Sequence, residues 1–171
     1  MSPSDPTEAQ AVALAESIAN AVDGSFLRIA VAEALTSGTV AARLGAAPRS
    51  ADWFAGGVVA VSTESKRRVL EVGSGPVVSA RAAEQMATSV ARLFGANLAL
   101  AITGVGGPER ESGEAVGTVF IGVRSPHGDV HVAERSLGGS PAEIADSAVV
   151  AALRLLEARV HALIAQKSRT H

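Results

Sequence analysis

Three short apolar runs, residues 26–32, 57–61 and 98–103, each pass directly into a segment of small, hydroxyl-bearing or glycine residues. Runs of that length, bounded that way, read as buried strands whose ends feed helices or tight loops. Helical stretches lie before, between and after them, so the sheet they form must be covered on both faces. A hydrophobic content of 47% with only 3% aromatics sharpens this: the core is filled by Ala, Val, Leu and Ile, which suits close-packed layers of helix on sheet.

The helical segments carry their own punctuation. Asp5, Pro6 and Glu8 make a helix start, followed by the stripe Ala11, Leu14, Ala15, Ile18 and Val22 and ended by Asp23-Gly24, which predicts a helix over 6–22. Thr36-Ser37-Gly38 opens a short helix to about Leu44, and Ser62-Thr63-Glu64-Ser65-Lys66 opens another. Ser79 caps a helix over 80–94 with the stripe Ala83, Met86, Val90 and Leu93 and a terminating Gly95. Residues 117–124 and 130–136 read as a hairpin around His127-Gly128-Asp129. Ser140, Pro141 and Glu143 then begin a long final helix with the stripe Ile144, Ala148, Ala152, Leu156, Val160 and Leu163. The fold expected is a three-layer α/β/α sandwich around a mixed, mostly parallel sheet of about five strands. At 171 residues the chain is expected to form one domain, with 1–5 and 166–171 flexible.

Several function classes are disfavoured. The absence of cysteine removes thiolate chemistry and disulfides. A net charge of −2 without long charged blocks argues against a nucleic-acid partner. The first residues lack the basic-then-apolar order of a secretory signal, and no apolar run reaches the roughly 18–20 residues of a membrane span, so no membrane partner and a cytoplasmic location are expected. His127, His131, His161 and His171 are scattered and no carboxylate recurs around them at ligand spacing, so no metal and no cofactor are expected. Trp53 and Phe54 are expected to pack their connection onto the sheet.

Chemistry is expected where strand ends meet helix starts, in loops 33–38, 60–66 and 103–108, which share one rim if their strands are parallel and adjacent. Glu33 either holds loop N–H groups from a partly exposed position or acts as a general base. Thr36 and Ser37 are either helix caps or part of an oxyanion-binding turn that includes Gly38. Lys66 is either a solvated lysine or, in a pocket that lowers its pKa, a base. Ser62, Thr103, Gly104 and Gly107 complete the expected ligand-binding set, the glycines allowing close backbone approach.

Ala32-Glu33-Ala34-Leu35-Thr36-Ser37-Gly38, the segment from Gly56 to Lys66, Thr103-Gly104-Val105-Gly106-Gly107-Pro108 and Val116-Gly117-Thr118-Val119 stand in one order along the chain. Together they resemble the C-terminal domain of the CinA family, whose stand-alone members are nicotinamide-nucleotide amidases. The resemblance implies an α/β/α fold, a metal-free pocket for a small molecule such as a nicotinamide nucleotide, and a homo-oligomer, with a dimer favoured. It also implies a reaction in which a serine attacks the carboxamide carbon of nicotinamide mononucleotide, a tyrosine and a lysine move the proton, and ammonia leaves. Here Ala34 stands at the serine position and Val61 at the tyrosine position, while Lys66 matches the lysine. The family's late Gly-Asp-Arg is matched by Gly139-Ser140-Pro141, so an arginine suited to phosphate is absent there. A methyl group cannot attack a carbonyl, so the covalent route cannot run through Ala34. Three readings follow: a binding protein with impaired catalysis, an active amidohydrolase using Ser37 or Thr36 with Lys66, and a structural partner of an intact paralogue.

Overall fold

The computed structural model describes residues 5–169. In chain order its elements are α1 (Pro6–Val22), β1 (Ile29–Glu33), α2 (Thr39–Ala46), α3 (Ser50–Trp53), β2 (Phe54–Val59), α4 (Thr63–Leu70), α5 (Ala80–Phe94), β3 (Leu98–Gly104), β4 (Thr118–Arg124), β5 (Val130–Ser136) and α6 (Pro141–Ser168). The strands form one five-stranded mixed sheet in the order β2-β1-β3-β4-β5. β1 is parallel to both β2 and β3, whereas β3–β4 and β4–β5 are antiparallel, so only β4 runs against the other four.

Period-two alternation assigns the two faces. Ile29 and Val31 of β1 and Leu98, Leu100 and Ile102 of β3 point to the layer of α1, α2 and α6. Their neighbours Ala30, Ala32, Ala99 and Ala101 point to the other layer, where Ala82, Met86, Ala87, Val90 and Ala91 of α5 meet them. One face is thus built from long aliphatic chains and the other from methyl groups, and α5 lies close on the sheet. Gly122 of β4 makes this concrete: a Cβ there would stand 3.0 Å from the carbonyl oxygen of Ala83. This close approach explains how the core closes with so few rings.

Helix ends with complete local signals fall where expected. The Asp5 carboxylate accepts from the Thr7 N–H at 2.9 Å, the Ser79 hydroxyl accepts from Ala82 N–H at 3.1 Å, and Gly95 closes α5 in the left-handed conformation. Ser140 and Glu143 form the full capping box of α6. Glu8 has a different partner from the one its spacing suggests: it pairs with Arg43 of α2 at 2.9 Å.

Several expectations are corrected. β1 begins at Ile29, and Phe26 lies before it with its ring 4.6 Å from Lys167 Nζ. β2 is shifted to 54–59 and is an edge strand of intermediate or exposed residues, not a buried one, because only β1 flanks it. The connection before it contains α3, whose Trp53 is buried with its indole N–H donating to Pro48 O. Leu93 is exposed, the α5 stripe turning toward its alanines instead. α2 starts at Thr39, three residues later than the Thr36 start, for a reason given below. α6 runs on to Ser168, past Gln166; the flexibility expected of 1–4 and 170–171 falls outside the described residues.

Candidate functional site

α2 and α3 cross one face of the sheet on the way from β1 to β2, and α4 and α5 cross the other on the way to β3. The chain therefore diverges at the carboxyl ends of β1 and β3, which leaves a crevice there. A cleft of about 310 Å³ occupies it. Ala34, Leu35 and Ser37 come from the β1–α2 loop, Val61 from the β2–α4 loop, Lys66 from α4, Gly104 from the end of β3, residues 105–107 with Glu109 and Glu111 from the loop after it, and Pro141 from the start of α6. A roomier groove of about 430 Å³ between α1, α6 and β5 contains Arg135 and Arg154 but no buried ionisable group. The strand-end cleft is the site with the means for chemistry.

Glu33 ends β1 fully buried, not partly exposed. Its carboxylate accepts from Thr36 Oγ1 at 2.7 Å, from Val40 N–H at 2.9 Å and from Ala41 N–H at 2.9 Å. Those amides are the orphan donors at the start of α2, whose N-cap is Gly38 in the left-handed conformation with no side chain to offer. Glu33 therefore does from the sheet what a capping serine does from within the chain. Neither Thr36 nor Ser37 caps this helix; Thr36 is buried, with its hydroxyl engaged by Glu33, and the turn before α2 delays the helix to Thr39.

Ser37 does face the cleft, from a backbone φ of 50° that side chains with a Cβ seldom adopt. Ala34 is 2% exposed and lines the wall, its N–H donating to Ile102 O at 3.0 Å. Lys66 is not a solvated lysine. It is 1% exposed, and its Nζ has one charged neighbour among the described residues, Glu111 Oε1, at 3.9 Å. That is beyond hydrogen-bond length. Burial lowers its pKa below the ordinary 10.5, and the negative charge of Glu111 pulls in the opposite direction and only partly offsets this.

The remaining expected residues divide. Gly104 and Gly107 line the cleft; a Cβ on Gly104 would meet Thr118 O at 2.8 Å, so this glycine is required by the neighbouring strand. Thr103 is buried and donates to Val77 O at 2.7 Å, which ties the rim to the segment before α5. Ser62 caps α4, its hydroxyl accepting from Ser65 N–H at 3.0 Å. Glu33, Gly38, Ser62, Thr36 and Thr103 thus shape the loops, while Ala34, Ser37, Val61, Lys66, Gly104 and Gly107 form the wall. Sequence reasoning missed Glu109 and Glu111, whose only signal was a charged loop directly after a glycine-rich strand end. Among the described residues no group of three or more His, Cys, Asp or Glu side chains could hold a metal ion, and no helix is long and apolar enough to cross a membrane.

The profile of the CinA C-terminal domain matches residues 11–160. A CinA-like protein of Frankia casuarinae is 41% identical over 133 residues, covering 75% of this chain and 30% of that protein. A putative competence-damage inducible protein of Desulforamulus reducens is 39% identical over 134 residues, covering 75% of this chain and 32% of its own length. The chain thus spans about a third of the curated relatives it matches. The crystal structure of a competence-damaged protein (CinA) superfamily protein from Klebsiella pneumoniae superposes with a TM-score of 0.83 at 30% identity, covering 88% of this chain and 98% of that one. The profile match, the identity to curated relatives and the superposition agree: this chain belongs to the CinA family, through its C-terminal domain.

Proposed function

We propose that this chain is a divergent CinA C-terminal-type protein that binds a small molecule of the nicotinamide-nucleotide type and lacks the family's covalent amidase route. The observation that supports it is the wall of the cleft: beside the buried Lys66 stand the methyl of Ala34 and the isopropyl of Val61, at the positions where the resemblance puts a serine and a tyrosine. Neither hydrocarbon can attack a carboxamide carbon or relay a proton. Loss of a triad-type nucleophile typically lowers a rate by about a thousand-fold to a million-fold. The test is titration calorimetry with nicotinamide mononucleotide beside an ammonia assay. Heat of binding without ammonia release is expected, and turnover comparable to serine-bearing relatives would overturn the reading.

A second reading, an active amidohydrolase, has one observation in its favour: Ser37 and Lys66 line the same cleft, and the lysine's lowered pKa favours its neutral, proton-accepting form. In that case Ser37 Oγ forms the bond to the carboxamide carbon, its proton passes to Lys66, the C–N bond breaks as ammonia takes that proton, and water then releases the acid. Ser37→Ala and Lys66→Ala would each abolish ammonia release; an unchanged rate in either removes this reading. Thr36 is the weaker candidate, since Glu33 already engages its hydroxyl. A cytoplasmic homodimer is proposed for the assembled protein, with light scattering on the eluting species as the measurement, and co-purification of a second chain would instead favour pairing with a paralogue.

A further inference from the structure

The cleft wall carries two carboxylates against one ammonium, a balance that favours a cationic ligand over an anionic one. Among the described residues Lys66 is the one cationic side chain in its wall, and Glu109 and Glu111 are both part of that wall. Arg110, between the two glutamates, is not; its guanidinium donates to Gly113 O at 3.0 Å.

Helix starts are the usual alternative for holding a phosphate, because their free amides and dipole attract anions. At each helix start on this rim the protein's own oxygens take up part of the free amides. At α2 the Val40 and Ala41 amides go to the Glu33 carboxylate. At α4 the Ser65 amide goes to Ser62 Oγ. At α6 the first residue is Pro141, which has no N–H, and the Ser140 amide donates to Glu143 Oε2 at 2.7 Å. The Ser140 hydrogen bonds, backbone first, hold the Glu143 carboxyl below its usual pKa, so a third carboxylate stays ionised where a phosphate would seek that helix.

The geometry points to a ligand that carries positive charge and no phosphate, with Glu109 and Glu111 setting that preference at the mouth of the cleft. This rests on the pyridine-type pocket proposed above and narrows its ligand to the pyridinium nucleoside class. The cationic ring faces the two carboxylates, and the buried Lys66, whose Nζ has no hydrogen-bonded partner among the described residues, is left to donate to a neutral oxygen such as a carboxamide or a ribose hydroxyl. A phosphate of charge about −1.5 to −2 near pH 7 would instead face the glutamates with no arginine in the wall to compensate.

Three ligands of stepwise charge separate the possibilities by calorimetry at low salt: nicotinamide riboside, nicotinamide mononucleotide and nicotinic acid mononucleotide. The riboside is expected to bind about tenfold more tightly than the mononucleotide, the acid nucleotide more weakly still, and the gap to narrow as salt screens it. Glu109→Gln with Glu111→Gln, both on an exposed loop, should close most of the gap by weakening the riboside and strengthening the mononucleotide. Equal or tighter binding of the mononucleotide overturns the charge preference and leaves the pyridine pocket standing. Failure of all three to bind overturns the pocket reading and this inference with it.

Discussion

Glu33 and Lys66 are both buried charges at the carboxyl edge of the sheet, and the protein treats them in opposite ways. Glu33 accepts three hydrogen bonds, two from the backbone of the helix it anchors. Lys66 is nearly as deeply buried, and among the described residues its Nζ has one charged neighbour, Glu111, at 3.9 Å. A buried charge with its partners in place organises structure; one without them costs stability and is retained where a ligand or reaction uses it. The contrast separates the scaffold half of the rim from its working half.

The strongest way to break that contrast is to remove the satisfied charge. Glu33→Ala leaves the Val40 and Ala41 amides and the Thr36 hydroxyl without their acceptor inside the core, and should destabilise the fold by about 3–5 kcal/mol in urea unfolding. A loss under about 1 kcal/mol would mean the network is not structural. Lys66→Met should act in the other direction, stabilising by about 1–3 kcal/mol while abolishing ligand binding in calorimetry. Its pH signature follows from the lowered pKa. Between the folded-state value and the unfolded 10.5 the unfolded chain holds the extra proton, so wild-type stability gains from this group as pH rises through that window. Lys66→Met should flatten the gain, and an unchanged profile would show that the lysine is not the group responsible.

Two smaller effects sharpen the division. Thr36→Val removes one of the hydrogen bonds to Glu33 and should lower stability by about 1–2 kcal/mol with ligand affinity unchanged; lost affinity would move Thr36 to the working half. Ser37→Gly should stabilise by about 0.5–1 kcal/mol, since glycine adopts the φ of 50° without penalty. If it also removes ammonia release, the serine is the nucleophile of the second reading.

Legibility in the sequence followed the range of the cause. α1, α5 and the start of α6 could be delimited because Asp5, Ser79, Gly95 and the Ser140–Glu143 box act within four residues of the ends they define. The α2 start was misplaced because its capping group, Glu33, lies on the preceding strand, beyond any local cap pattern. The 57–61 run looked like a buried strand because apolarity is local, whereas an edge position depends on which strands lie beside it. The importance of Glu109 and Glu111 was hidden for the same reason: a charged loop looks like any other until it folds over the cleft that contains Lys66.

By itself the sequence determined the layered α/β architecture, the helix ends with local caps, and the absence of a nucleophile at residue 34, because periodicity, capping chemistry and side-chain identity need no distant partner. Tertiary structure alone decided which charges are buried, which hydroxyls are engaged and which helix starts remain open to an anion. Those are properties of what surrounds a group in space, and the sheet order β2-β1-β3-β4-β5 brings together loops that lie far apart along the chain.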